Sequence, residues 1–169
     1  MSGTPHPIVQ VLLAAVVGIG SSGFATAAEP VAVAIAGFDF RDTSGEVRDQ
    51  SAEHAKRLKA LGVTVQEGLS EGKKTKAIPL TCRTDECTAR TAGVEALSVR
   101  AKEAGARYLL IGEVHKMSTL IGQVKFALLD LSDNKPVCDR FLTYRGDTDE
   151  AWRRAAAFTA RDVQRHCIP

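Results

Sequence analysis

Residues 145–154 read R-G-D-T-D-E-A-W-R-R, a strand end that turns at Gly146 and passes into a helix. The segment holds the only tryptophan of the chain, with three arginines and three acids around it. The spacing predicts Asp147 as the helix N-cap and Glu150 as its partner in a capping-box-like pair, because the first N–H groups of a helix need side-chain acceptors. The helix then begins near Thr148. A guanidinium, a cap and an indole share one strand-to-helix corner, and no reaction is named by that combination.

Upstream of this corner the pattern is a meander. Ala106–Met117 and Ile121–Leu131 read as strands joined by a hairpin-length link, and S-D-N-K at 132–135 turns the chain into a third strand over Val137–Tyr144. Further back, Val31–Phe40 (V-A-V-A-I-A-G-F-D-F) is a short apolar run suited to a buried central strand. Ala55, Leu58, Leu61, Val65 and Leu69 recur at helical steps within 51–70, despite Gly62 and Gly68. Lys74–Leu80 reads as a short strand ending at Pro79, and Thr84–Ala104 as a second helix stopped by Gly105. Downstream, the last helix runs to about Arg165 and buries Trp152, Ala155, Ala156 and either Phe158 or Val163.

The order β-α-β-α-β-β-β-α implies an α/β fold with a mixed five-stranded sheet. Right-handed crossovers make the first three strands parallel, and two hairpins make the last three antiparallel neighbours. The first, third and fifth strands then end on one edge of the sheet. Asp39, Asp42, Lys116, Ser118, Arg145, Asp147 and Asp149 gather there, with Trp152 and Arg153 behind them, at the kind of edge where α/β sheets bind ligands. These residues form the candidate recognition edge. His54, His115 and His166 are scattered, and His115 faces opposite to Lys116 on its strand.

Composition constrains the function class. With 44% hydrophobic and 25% charged residues in 169, the chain supplies one ordinary globular core. A net charge of +2 with interspersed signs is unlike the concentrated basic footprint of a nucleic-acid binder, and K-K-T-K at 73–76 reads as a solvated loop. Residues 8–20 are apolar and lead to A-T-A at 25–27, which predicts a secretory signal peptide over 1–28, cleaved after Ala27 or Ala28, although no Lys or Arg precedes it. The mature domain is then 29–169, periplasmic, without an integral membrane span. All four cysteines follow the leader, where an oxidising compartment favours disulfides. Three pairings exist in principle; the favoured one joins Cys82 to Cys87 as a local clip and Cys138 to Cys167 as a tie from strand to C-terminus. The spacing is neither thioredoxin-like nor that of a zinc site.

K-M-S-T-L-I at 116–121 and R-G-D-T-D-E-A-W-R-R at 145–154 resemble the signatures of a bacterial family of exported domains of unknown function, K-x-S-N-L-I followed by R-G-N-T-D-E-S-W-R-R. The opening V-A-V-A-I-A-G-F-D-F-R-D-T-S is similar to that family's start. Thr119 and Asp147 stand where the pattern has Asn, and Ala151 where it has Ser; Asp can cap as Asn does. The layout also resembles the N-terminal α/β domain of TolB, a fold-level analogy. The resemblance implies a fold and a compartment, and no activity.

The expected function is therefore that of an exported, non-enzymatic accessory or interaction protein with a periplasmic or envelope protein as partner, without cofactor, resident metal or nucleic acid. The alternative is a small-ligand binder or weak hydrolase that uses Asp39, Lys116 and Arg145, with Asp39 or Asp149 as base. A metal held by Asp39, Asp42 and Asp149 is a third reading. No Ser-His-Asp or Cys-His arrangement stands out to support catalysis.

Overall fold

The structure, a computed structural model, describes residues 1, 3, 29–71, 73–82 and 87–168. The leader and its cleavage positions, and the expected start of the second helix at residue 84, lie outside the described residues. The elements are β1 (Val31–Asp42), α1 (Ser51–Glu71), β2 (Thr75–Pro79), α2 (Ala89–Ala92), α3 (Val94–Glu103), β3 (Tyr108–Lys116), β4 (Ile121–Asp130), β5 (Lys135–Arg145) and α4 (Asp149–Asp162), which runs into a π-helical turn over Val163–Cys167. The sheet order is β2-β1-β3-β4-β5. β1 is parallel to β2 and β3, and the two hairpin pairs are antiparallel, as the sequence predicts.

Helices cover the two faces unequally. α1 and α4 lie on one face over Val33, Ile35, Phe38, Leu110, Val114, Val124, Phe126 and Leu128, and Trp152 enters this core. They touch closely: a Cβ on Gly68 would stand 2.7 Å from the Ala160 methyl, so glycine here permits the helix contact. On the other face the shorter α2 and α3 close a smaller core around Ala34, Ala36, Leu97, Leu109 and Leu129. Beyond them the outer strands are wet on that side, and Lys125, Asp139, Phe141 and Thr143 are exposed.

Two local expectations are corrected, and one open alternative is resolved. The second helix is broken: Gly93, at φ +81°, separates α2 from α3, a conformation that a side chain would strain. Its end is as predicted, with Gly105 N–H bonded to Lys102 O and Ala106 N–H to Ala101 O, the paired bonds of a Schellman stop. The cap of α4 is Thr148, whose hydroxyl accepts from Ala151 N–H at 3.2 Å, and not Asp147. Of the two candidates at the end of α4, Val163 is buried and Phe158 is on the surface.

A register shift in β1 decides which side chains meet. Between Ile35 and Phe38 the pairing with β3 slips by one residue, and Gly37 bridges to Thr88 instead. One extra residue reverses the alternation. Val33 and Ile35 face α1 and α4 before the slip, and Phe38, Phe40 and Asp42 do so after it. Asp39 and Arg41 are turned to the opposite face.

Candidate functional site

The C-terminal ends of β1 and β3 converge as expected, with Asp42 opposite Lys116. The charges gathered there form two clusters, one on each face of the sheet. On the α1/α4 face Lys116 is 2% exposed, yet it carries an ammonium group. That group bonds to the Glu46 carboxylate and stands 3.5 Å from Asp42 Oδ2 and 3.6 Å from Asp147 Oδ2. Burial alone would lower its pKa, but the Glu46 hydrogen bond and the charges of Asp42 and Asp147 outweigh burial and raise it.

Asp147 is the hub. Its Oδ2 accepts from His54 Nε2 at 2.8 Å, and its Oδ1 accepts from Trp152 Nε1 at 2.9 Å and from Arg57 Nη1 at 3.1 Å. Burial opposes the carboxylate, but hydrogen bonds from His54 and Trp152 and the charge of Arg57 prevail and hold its pKa below the ordinary 3.8. Arg57 also donates from Nε to Asp149 Oδ1 at 2.7 Å, which joins α1 to the first turn of α4. Phe40, Tyr144 and Trp152 roof the cluster, with the His54 ring stacked on the indole at 6.0 Å between centroids. Burial pushes the Tyr144 phenol far above its ordinary value, so it stays neutral.

The second cluster lies on the opposite face. Asp39 accepts from the Thr88 hydroxyl at 2.6 Å and from Arg90 N–H at 3.1 Å. Glu113 pairs with Arg41 and Arg90, and the His115 ring spans Arg41 at 3.1 Å and Thr43 at 2.7 Å.

Of the candidate edge residues, the structure brings together Asp42, Lys116, Asp147 and Trp152, with Asp149 attached through Arg57. It separates the others. Asp39 belongs to the cluster across the sheet. Ser118 shapes the β3–β4 turn by accepting from Leu120 and Ile121 N–H. Arg145 is exposed at the end of β5 and forms no ion pair among the described residues. Arg153 pairs with Glu150 on the surface of α4. The metal reading needed Asp39, Asp42 and Asp149 in one place, and each is bound to a different cation or cap; among the described residues no metal-binding group of three or more such side chains occurs.

Three members escape the sequence reading: Glu46, His54 and Arg57. His54 and Arg57 sit three apart on α1, next to the apolar stripe instead of on its far side, and that placement was the available signal. An imidazole oriented by a carboxylate is half of a general-base system. His54 is only 3% exposed, however, and is closed in beneath Phe40 and Trp152.

Both disulfides have the favoured pairing, Cys82–Cys87 and Cys138–Cys167, with Cα separations of 5.2 and 5.3 Å. Among the described residues no helix is long and apolar enough to cross a membrane.

A family model described as "Protein of unknown function (DUF2380)" matches residues 31–163, from the start of β1 to just past α4. The chain belongs to this family, DUF3280. No curated protein matches the sequence. Among solved structures, the DUF3280 chain is similar to the PelC dodecamer from Paraburkholderia phytofirmans, with a TM-score of 0.55 at 15% identity, over 82% of this chain and 90% of that one. It is also similar to TolB from Acinetobacter baumannii, with a TM-score of 0.51 at 14% identity, over 84% of this chain and 30% of that one. At such identity these likenesses show a common fold. The resemblance to TolB holds at that level, for a part of TolB; the comparison does not carry the expectation of its N-terminal domain in particular.

Proposed function

We propose that this DUF3280 member is an exported, non-enzymatic accessory protein of the cell envelope, which acts in the periplasm by binding a protein partner at the loop end of its sheet. The observation that carries this reading is the mutual saturation of Lys116 and Asp147. Each is enclosed by opposite charges and donors from other elements, an arrangement that fixes the surrounding loops and offers little to a substrate. Above the cluster, the segment after β1, the β3–β4 turn and Gly146–Thr148 surround a depression of ≈ 400 Å³, with Glu46, Arg48, Thr119 and Leu120 in its lining. Leu120 lines it and is 64% exposed, and Met117, 46% exposed, precedes it in the same turn. Apolar side chains on a charged rim held by a rigid base suit a protein partner. The leader over 1–28 supports export.

The test is cross-linking in the native envelope followed by mass spectrometry, with wild type beside Met117→Asp/Leu120→Asp. A partner recovered by wild type and lost by the variant at unchanged melting temperature supports the reading. Identical recovery by both would remove this surface from consideration.

One observation favours a second reading. A cleft of ≈ 190 Å³ between α1 and α4 is lined by Lys56, Arg57, Asp149, Arg153, Leu61 and Trp152, three cations and one acid over an apolar floor, an excess of positive charge that suits a small organic anion. A thermal-shift screen of di- and tricarboxylates separates this reading from the first; stabilisation that disappears in Lys56→Ala/Arg153→Ala supports it.

A further inference from the structure

The sheet has two edges, and they are unlike. β2 is five residues long and ends in Pro79, a blunt edge. β5 is eleven residues long and has no strand on its outer side. Its first part is blunted by Lys135, Pro136 and a register shift opposite Leu128 and Leu129. From Cys138 to Arg145 the pairing with β4 is regular. Gly146 N–H donates to Leu120 O at 2.9 Å, so the two-residue alternation of an antiparallel ladder turns the backbone groups of Tyr144, Leu142 and Arg140 toward β4. Asp139, Phe141, Thr143 and Arg145 present theirs outward. Phe141, 64% exposed, and Phe158, 49% exposed, flank this edge on its two sides.

The charges on the run choose its occupant. Arg140 is tied to Asp162, but Asp139 and Arg145 form no ion pair among the described residues. They stand at opposite ends of the outward-facing run and are equidistant from Leu142. A second β5 laid antiparallel about a two-fold axis at Leu142 therefore sets Asp139 against Arg145 of the other copy, twice. It also sets Phe141 against Thr143, and the two Phe141 rings meet on the diagonal, within reach of aromatic side chains. All four outward residues are of one parity, so this register is also the one in which their N–H and C=O groups bond each other.

We propose that β5 is a homodimerisation edge, on which a second copy of this chain continues the sheet through antiparallel β5–β5 pairing centred on Leu142. The interface is isologous, as a two-fold contact requires. It uses a different surface from the loop end, so either proposal stands if the other fails.

The experiment is sedimentation velocity of the full mature chain over a concentration series, together with hydrogen exchange. Wild type is expected to dimerise, with concentration-dependent protection of the Asp139, Phe141, Thr143 and Arg145 amides. Thr143→Pro removes only an outward N–H, which an edge strand tolerates, and is expected to give a monomer of unchanged melting temperature. Asp139→Arg and Arg145→Asp are each expected to weaken the dimer at least tenfold, and the double swap to restore it. A chain monomeric at every concentration, a dimer indifferent to Thr143→Pro, or a double swap no better than the single changes overturns the proposal. Should Thr143→Pro fail to fold, the charge swap alone decides.

Discussion

The indole N–H of Trp152 donates to the carboxylate of Asp147 at 2.9 Å, across the first turn of α4, and the same carboxylate takes His54 on its other oxygen. Removing this acceptor leaves a buried imidazole and an indole N–H without a partner and takes from Arg57 one of its two carboxylates. Asp147→Ala is expected to destabilise the fold by about 3 kcal/mol, as breaking a buried pair does. Asp147→Asn keeps one acceptor and costs less. Urea unfolding of both variants checks the order.

The same carboxylate sets an acid limit. Its folded pKa lies below 3.8, so its contribution is present above 3.8 and is lost as pH falls through the folded value. Lys116 has the reverse sign. Its folded pKa lies above 10.5, so its contribution is present below 10.5 and is lost as pH rises through the folded value. Stability against pH should show a plateau between these limits, and Asp147→Asn should flatten the acid limb. Melting curves from pH 2 to 11 test both signs.

Lys116 and Arg145 should behave oppositely, although the sequence groups them on one edge. Lys116→Met leaves the carboxylates of Asp42, Glu46 and Asp147 without the cation that stands between them and is expected to cost about 3 kcal/mol. Arg145→Ala, on an exposed side chain, should stay within about 0.5 kcal/mol in the monomer. Equal losses would contradict the buried placement of Lys116.

Cys138 and Cys167 are 29 residues apart in sequence, and their link closes a far longer loop than the clip of Cys82 and Cys87, whose separation is 5. By loop entropy, Cys138→Ser/Cys167→Ser should lose about 3.5 kcal/mol and Cys82→Ser/Cys87→Ser about 2 kcal/mol. Denaturation of the two double variants measures the difference.

Gly122 lies opposite Tyr144, and a Cβ there would come 2.3 Å from the ring. Gly122→Ala must displace the phenol from the roof of the cluster. A cost of about 1 to 3 kcal/mol is expected, with a change in near-ultraviolet dichroism.

What could be read from the residues follows from the range of the interactions. Strand runs, the meander and the Gly105 stop are local patterns, and the structure reproduces them. The convergence of Asp42 and Lys116 follows from strand direction alone. The face assigned to Asp39 does not, because it depends on the slip at Gly37, a glycine inside an apolar run whose bridge to Thr88 is a tertiary choice. Asp147 and Thr148 are both competent caps; what takes Asp147 out of that role is His54, 93 residues away. Gly93 offered a visible break, but the apolar pattern continues through it and hides the interruption.

The hub at Asp147 also bears on the order of events in folding. It joins α1 and the segment before it to β3 and α4, and the partners Glu46 and Lys116 are 70 residues apart. Contacts of such separation form only after most of the chain entropy has been lost. The ionic cluster is therefore a closing event that forms with the equally distant parallel pairing of β1 and β3 and locks it onto the hairpins, and its strength shows in how slowly the native state opens, not in how fast it is reached.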